Sequence, residues 1–173
     1  SPPYDNLRTY NWYSWDFEWI AKELYRITKD WGVVVWVVWD ATINGSETCT
    51  SDRQKLYFKD VCGFNVHDTM IYRKNSLTFP DTNRYYQCFE YMIILSKGKP
   101  KTVNLIQDRL NKQANKNITG NYRDIDGSLK EMSGSKHNRA IKENGVRWNI
   151  WDYNTGWQHS YSEDFLRGHP AIF

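Results

Sequence analysis

Apolar residues at Phe17, Ile20, Ala21, Leu24 and Ile27 recur at three- and four-residue steps, which predicts a helix running to about Lys29 with Ser14 or Asp16 as its N-cap. Asp30-Trp31-Gly32 interrupts the pattern. The run that follows, Val33 to Trp39, is β-branched and aromatic without alternation, so it predicts a strand covered on both faces, as in the interior of a parallel sheet. Polar residues from Asp40 to Thr48 predict a loop, after which Thr50 or Ser51 caps a second helix that reaches Cys62 and stops at Gly63. Two further strand-like runs, Val66 to Arg73 and Tyr85 to Ser96, flank a polar stretch containing Pro80-Asp81 and predict an antiparallel pair with a long connection. Strand, helix, strand and hairpin in this order make an α/β pattern.

From Lys97 onward the pattern weakens. Asn, Lys, Gly and Ser dominate, and Tyr122 is the only aromatic residue before Arg147. Aromatic density returns at Trp148, Trp151, Tyr153, Trp157 and Tyr161. Three segments result: 1–96, an irregular 97–147, and a return segment 148–173. No internal repeat is present.

Charge sharpens this division. The 173-residue chain has a net charge of only +3, but residues 97–147 hold 12 basic and 5 acidic side chains, leaving 11 basic and 15 acidic elsewhere. Such a basic segment suits a polyanion, which lysine and arginine neutralise with release of counterions. The longest apolar run has seven residues, against roughly 20 for a membrane span, and no signal-peptide pattern opens the chain. Cys49, Cys62 and Cys88 show no CxxC spacing, and His67, His137, His159 and His169 are scattered, which predicts no disulfide framework and no metal site. A reducing cytoplasm fits, and the triplets Asn44-Gly45-Ser46 and Asn117-Ile118-Thr119 are then chance matches to glycosylation sites.

The first four residues carry the most specific chemistry. Ser1-Pro2-Pro3-Tyr4 cannot be helical, because each proline lacks a donor and pushes its predecessor toward extended geometry. The loop offers the serine oxygen and the Pro2 carbonyl as two acceptors beside an aromatic face. That set suits a planar group bearing an NH2, whose two hydrogens go to the acceptors while its ring lies on Tyr4. An amino group conjugated into a heteroaromatic ring is a poor nucleophile, and holding its hydrogens so that nitrogen pyramidalises frees the lone pair. Taken alone, the tetrapeptide is also what a proline-rich terminal turn looks like.

With these residues the chain resembles the amino-group DNA methyltransferases, which use S-adenosylmethionine to methylate N4 of cytosine or N6 of adenine. Their catalytic loop is Asp, Asn or Ser, then Pro-Pro, then Tyr, Phe or Trp, and Ser1-Pro2-Pro3-Tyr4 matches it. The resemblance continues along the chain. The strand from Gly32-Val33 to Trp39-Asp40 is similar to the one after their first helix, and His67 to Lys74 is similar to their strand ending in aromatic-x-Lys. Asn83 to Pro100 is similar to the partner strand of bacterial and phage members, and Asn149-Ile150-Trp151 and His169-Pro170-Ala171 to the segment leading into the cofactor-binding half.

The resemblance implies part of a Rossmann-like methyltransferase sheet, with a central parallel strand, an antiparallel hairpin and an irregular basic insertion. It implies an enzyme of the one-carbon-transferring class EC 2.1.1 that extrudes the target base from double-stranded DNA. Ser1, Pro2, Pro3 and Tyr4 would be catalytic, and Tyr72 a second wall of the base pocket. Residues 97–147 would recognise the target, with DNA contacts from Lys74, Arg84, Lys97, Lys99, Lys101, Arg109, Lys112, Arg123, Lys136 and Arg139. His169, Pro170 and Ala171 would face S-adenosylmethionine. A cognate restriction endonuclease would be a partner, in a bacterial or phage-infected cytoplasm.

Within this resemblance, serine at the first loop position looks more like the cytosine-N4 enzymes and aspartate more like the adenine-N6 enzymes, which implies cytosine. Methylation at cytosine C5 is disfavoured, because it needs a cysteine nucleophile, usually after proline, whereas the three cysteines follow Thr, Val and Gln. A protein-glutamine methyltransferase uses a similar loop on a carboxamide, but the basic insertion argues against it. The other class of reading is a non-catalytic nucleic-acid-binding module in which Trp12, Trp148, Trp151 and Trp157 stack bases. The family also needs a glycine-rich cofactor turn, and none of the ten glycines here forms G-x-G. In the subgroup with this motif order the turn follows the His-Pro-Ala segment, so the expectation is an internal fragment that is inactive in isolation.

Overall fold

The structure, a computed structural model, describes Pro2, residues 15–75 and residues 82–153. Two compact units divide the chain, one made of residues 1–103 and 149–173 and the other of residues 104–148.

The first unit is mixed α/β. Helix α1, Phe17–Ile27, starts where Asp16 accepts a hydrogen bond from the Trp19 N–H at 3.0 Å, the side-chain cap that an exposed first turn requires. It ends at Thr28, whose N–H and hydroxyl both donate to the Leu24 carbonyl. Strand β1, Val33–Val38, follows. The segment expected to be a plain loop contains a small hairpin, β2 Thr42–Ile43 with β3 Ser46–Glu47, whose Asn44-Gly45 turn has φ of 51° and 77°. Two consecutive positive φ angles match the right-handed twist of a two-residue hairpin, which is why Asn-Gly recurs there. Helix α2, Thr50–Asp60, precedes strands β4, Asn65–Lys74, and β5, Phe89–Ser96.

Strands β4 and β5 pair antiparallel as expected, with a bulge between Val66 and Asp68. Strand β10, Ile150–Tyr153, was not foreseen, and it pairs parallel to β4. The sheet order is β1-β5-β4-β10. This corrects the expectation for the valine-rich strand: β1 pairs antiparallel with β5 and stands at the edge of the sheet among the described residues. Val33 and Val35 are 47% and 50% exposed, while Trp36, Val37 and Val38 are buried. An unbroken β-branched run records how much of a strand is covered by the end of its length, and carries no information about the direction of its neighbour.

Both helices pack on the sheet face that carries Trp36, Val38, Ile93 and Leu95, joined by Ala21, Phe58 and Phe64 in one core. Phe17 meets Tyr57 and Phe58 edge-on at 5.4 and 5.3 Å between ring centroids. Removing an aromatic side chain of this size from water contributes about 1.5–3 kcal/mol, so this face holds most of the stabilising burial. On the opposite face Val37, Tyr72 and Met92 form a smaller cluster with Met70, Trp151 and Tyr153.

The second unit is a set of short antiparallel pairings. Strand β6, Arg109–Leu110, pairs with β9, Asn144–Gly145, and β7, Asn121–Arg123, with β8, Leu129–Glu131. A bridge joins Asn117 to Ala140, and a single helical turn, α3, spans Ser133–Lys136. None of its residues is buried.

Candidate functional site

Strands β1, β4 and β10 run in one direction, with β5 opposed to them, so their carboxyl ends share one edge of the sheet. In open α/β sheets ligands bind outside that edge. Three arrangements are built there.

The first seats α2. Asp40, two residues past the end of β1 and 6% exposed, accepts from the Ser51 N–H at 2.8 Å and from the Ser51 hydroxyl. Neither Thr50 nor Ser51 is the N-cap. That position belongs to Cys49, held at φ 52° without a side-chain cap bond, and Asp40 supplies the missing acceptor from eleven residues upstream. A carboxylate at a helix N-terminus is also favoured by the helix dipole. Farther along the same strand the Trp36 indole donates to Gln54 Oε1 at 2.8 Å inside the core, so strand and helix are fixed at two depths.

The second is a buried ion pair. Lys74, the last residue of β4, reaches across to Glu90 on β5, which is 3% exposed. Its ammonium bonds Oε1, and the buried Oε2 has no hydrogen-bond partner. The same ammonium lies 6.0 Å from the centroid of the Tyr72 ring. Tyr72 is 1% exposed and meets Tyr153 edge-on at 4.8 Å. Burial, reinforced by the charges of Glu90 and Tyr153, pushes the Tyr72 hydroxyl up to about 12.

The third is a crevice of about 390 Å³ between the ends of β4 and β10, lined by Arg73, Lys74, Asn75, Asp152 and Tyr153. Arg73 forks onto Asp152 across the parallel pair, with Nη2 to Oδ2 at 2.9 Å. The walls therefore offer compensated charges and one aromatic edge, a lining suited to a planar polar group rather than to a bare ion.

Residues singled out from the sequence fall in different places. Pro2 is half-buried, and Ser1, Pro3 and Tyr4 lie outside the described residues, as do His169, Pro170 and Ala171. Tyr72 stands in the smaller core. Arg84 donates to the Gly45 carbonyl at the β2–β3 turn. Lys97 bonds the Tyr25 and Thr28 carbonyls at 3.3 and 3.1 Å, lies 4.7 Å from the Tyr25 ring centroid, and so neutralises the carboxyl end of α1. Lys101 stands 5.9 Å from the Trp31 ring centroid, and Lys99 is exposed.

In the second unit Arg109 and Arg123 donate to the Val146 and Gly127 carbonyls, whereas Lys112, Lys136 and Arg139 are exposed. Arg147 and Lys130, outside the original set, pair with Asp108 and Asp124 and hold those carboxyls below the usual carboxylate range. Asp40, Glu90 and Asp152 were overlooked. The signal was present for Glu90, a lone carboxylate inside an apolar strand, which needs a cationic partner to be buried at all.

Among the described residues no His, Cys, Asp or Glu cluster is arranged to hold a metal, and no helix is long and apolar enough to cross a membrane. The described residues include no G-x-G turn of the kind that lets backbone approach the methionine end of S-adenosylmethionine, so none of them is assigned to that cofactor.

Comparison with known proteins covers the whole length. A family model described as DNA methylase matches residues 1–173. One relative, the orphan methyltransferase M.BamHII of Bacillus amyloliquefaciens, is 59% identical over 175 residues, which takes in 100% of this chain and 64% of the relative. The chain thus spans less than two thirds of that protein's length. A family match over residues 1–173 and a relative 59% identical across the whole chain place it in the DNA methylase family, with which its mixed α/β sheet is compatible.

Proposed function

We propose that the chain is the base-binding and target-recognising part of a DNA methyltransferase that modifies the exocyclic amino group of an extruded base, cytosine N4 in preference to adenine N6. The observation that carries this is Ser1-Pro2-Pro3-Tyr4 at the head of a chain matched throughout by a DNA methylase family model. The relative's name, a methyltransferase, supports the same reaction class.

In this reading the Ser1 oxygen and the Pro2 carbonyl accept the two amino hydrogens, and Tyr4 stacks on the ring. Holding both hydrogens in this way takes the nitrogen lone pair out of conjugation with the ring. S-adenosylmethionine would supply the methyl group as an electrophile on its sulfonium. The proton lost from nitrogen passes to water, because a serine hydroxyl and an amide carbonyl accept hydrogen bonds but are too weakly basic to keep a proton. The sheet belongs to the Rossmann-like class, and the crevice at its carboxyl edge is the mouth of the base pocket. Residues 104–148 recognise the DNA target. Double-stranded DNA is the partner, a companion restriction endonuclease belongs to the same reading, and the site of action is the bacterial cytoplasm.

The test is Tyr4→Ala in the full-length enzyme. Methylation is expected to fall by two orders of magnitude or more while duplex affinity stays within a few fold. Weakened affinity with methylation per bound duplex unchanged would show a binding module instead.

A further inference from the structure

The basic side chains of the second unit differ in how they are held. Lys112, Lys116, Lys136, Arg139 and Lys142 are exposed, and none has a side-chain hydrogen bond or ion pair among the described residues. Arg109 is different. Its Nε donates to the Val146 carbonyl at 3.1 Å, and its guanidinium carbon lies 5.3 Å from the centroid of the Trp148 indole. Opposite it in the β6–β9 register is Gly145. A Cβ built there would sit 2.4 Å from Arg109 Nη2 and 2.9 Å from Asn111 Oδ1, so the guanidinium occupies space that only glycine leaves open. Asn111 is itself anchored by its Nδ2, which donates to the Lys142 carbonyl at 2.9 Å.

The side chain is thus fixed by an acceptor, an aromatic face and an empty position. Its two terminal nitrogens have no hydrogen-bond partner among the described residues. A planar fork held in advance, with both outer donors free, matches two acceptors lying side by side in one plane. On double-stranded DNA that pair is the O6 and N7 of guanine in the major groove, which admits a two-stranded ribbon such as β6–β9. A phosphate contact needs no such fixation, and the exposed lysines without side-chain partners among the described residues suit that role.

We infer that Arg109 is a specificity-determining residue that reads a guanine in the recognised sequence, donating from its two terminal nitrogens to O6 and N7. This deepens the proposed DNA methyltransferase function and rests on it.

The experiment uses the full-length methyltransferase on duplexes carrying its own methylation site, with each guanine replaced in turn by 7-deazaguanine, which lacks the N7 acceptor. For the wild type, kcat/KM is expected to fall roughly 5- to 150-fold at one position. Arg109→Ala should lose a similar factor on the unmodified duplex and no longer respond at that position. Arg109→Lys keeps the charge but not the fork, and should also lose the response. Gly145→Ala, at a residue whose φ is not in the left-handed region, pushes the guanidinium aside and should weaken the response without touching Arg109. Lys112→Ala should weaken binding to every duplex alike and reduce the salt dependence by about one counterion, with the response intact. Arg109→Ala that keeps the full response, or that loses affinity uniformly with a shallower salt dependence, overturns the inference while leaving the methyltransferase reading standing. A wild-type enzyme that methylates no duplex overturns both.

Discussion

Lys74 and Glu90 show how one residue's burial sets what its neighbour must be. The carboxylate is 3% exposed, and one of its oxygens already lacks a partner. Lys74→Met would leave the charge buried and uncompensated. We expect a loss of about 2–4 kcal/mol in urea unfolding, below the range for a wholly buried pair because the lysine side chain keeps some contact with water. Replacing both residues, as Lys74→Met with Glu90→Leu, should cost less than the single change. If the double variant is the less stable of the two, the pair is held together by more than mutual neutralisation.

Tyr72 gives a pH prediction with a definite sign. Its hydroxyl titrates at about 12 in the folded chain against an ordinary value of 10, so the folded state holds the proton more tightly. The associated stability is complete below pH 10 and is lost as pH rises through 12, on the order of 2–3 kcal/mol in all. Unfolding free energies measured from pH 9 upward should fall more steeply for the wild type than for Tyr72→Phe. Parallel pH profiles would contradict the burial of this hydroxyl.

Among the elements, α2 owes its position to Asp40 more than to its own sequence. Asp40→Ala strands the Ser51 N–H at the helix start and should cost about 1–3 kcal/mol, whereas Ser51→Ala removes only one of the two bonds and should cost less. Equal losses would mean that the hydroxyl, rather than the carboxylate at the helix N-terminus, seats the helix.

How far these elements could be read from the sequence depended on whether the deciding partner was local. Helix α1 was legible because its stripe and its Asp16 cap lie within one turn of each other. The antiparallel β4–β5 pair was legible from two strand-like runs flanking a long polar connection. The N-cap of α2 was misread because its acceptor, Asp40, lies on another element. The β2–β3 hairpin was passed over although Asn44-Gly45 is a strong local turn signal, because its strands are two residues long and show no alternation. Strand β10 and the edge position of β1 depend on pairings between distant segments, which leave no periodic mark on either one.

For the molecule as a whole, the two units differ in how each is held together. The first has a continuous aromatic and aliphatic core, whereas residues 104–148 contain no buried side chain and rely on short ladders, turns and ion pairs. Backbone with so little burial opens at low cost. Amide hydrogen exchange should therefore be fast across 104–148 and slow in β4 and β5, and a duplex carrying the recognised site should slow it in the second unit. Exchange there that is slow without DNA, or unchanged by it, would contradict the assignment of this unit to target recognition.

The irregular basic segment 97–147 was visible in the sequence through composition and charge. The convergence of β1, β4 and β10 on one edge was not, because it is a property of sheet topology. The most direct test of the central claim is nucleoside analysis of DNA methylated by the full-length enzyme. The account predicts N4-methylcytosine, abolished by Tyr4→Ala. N6-methyladenine would contradict the choice of base, and 5-methylcytosine, or no modified base at all, would contradict the claim that an exocyclic amino group is the acceptor.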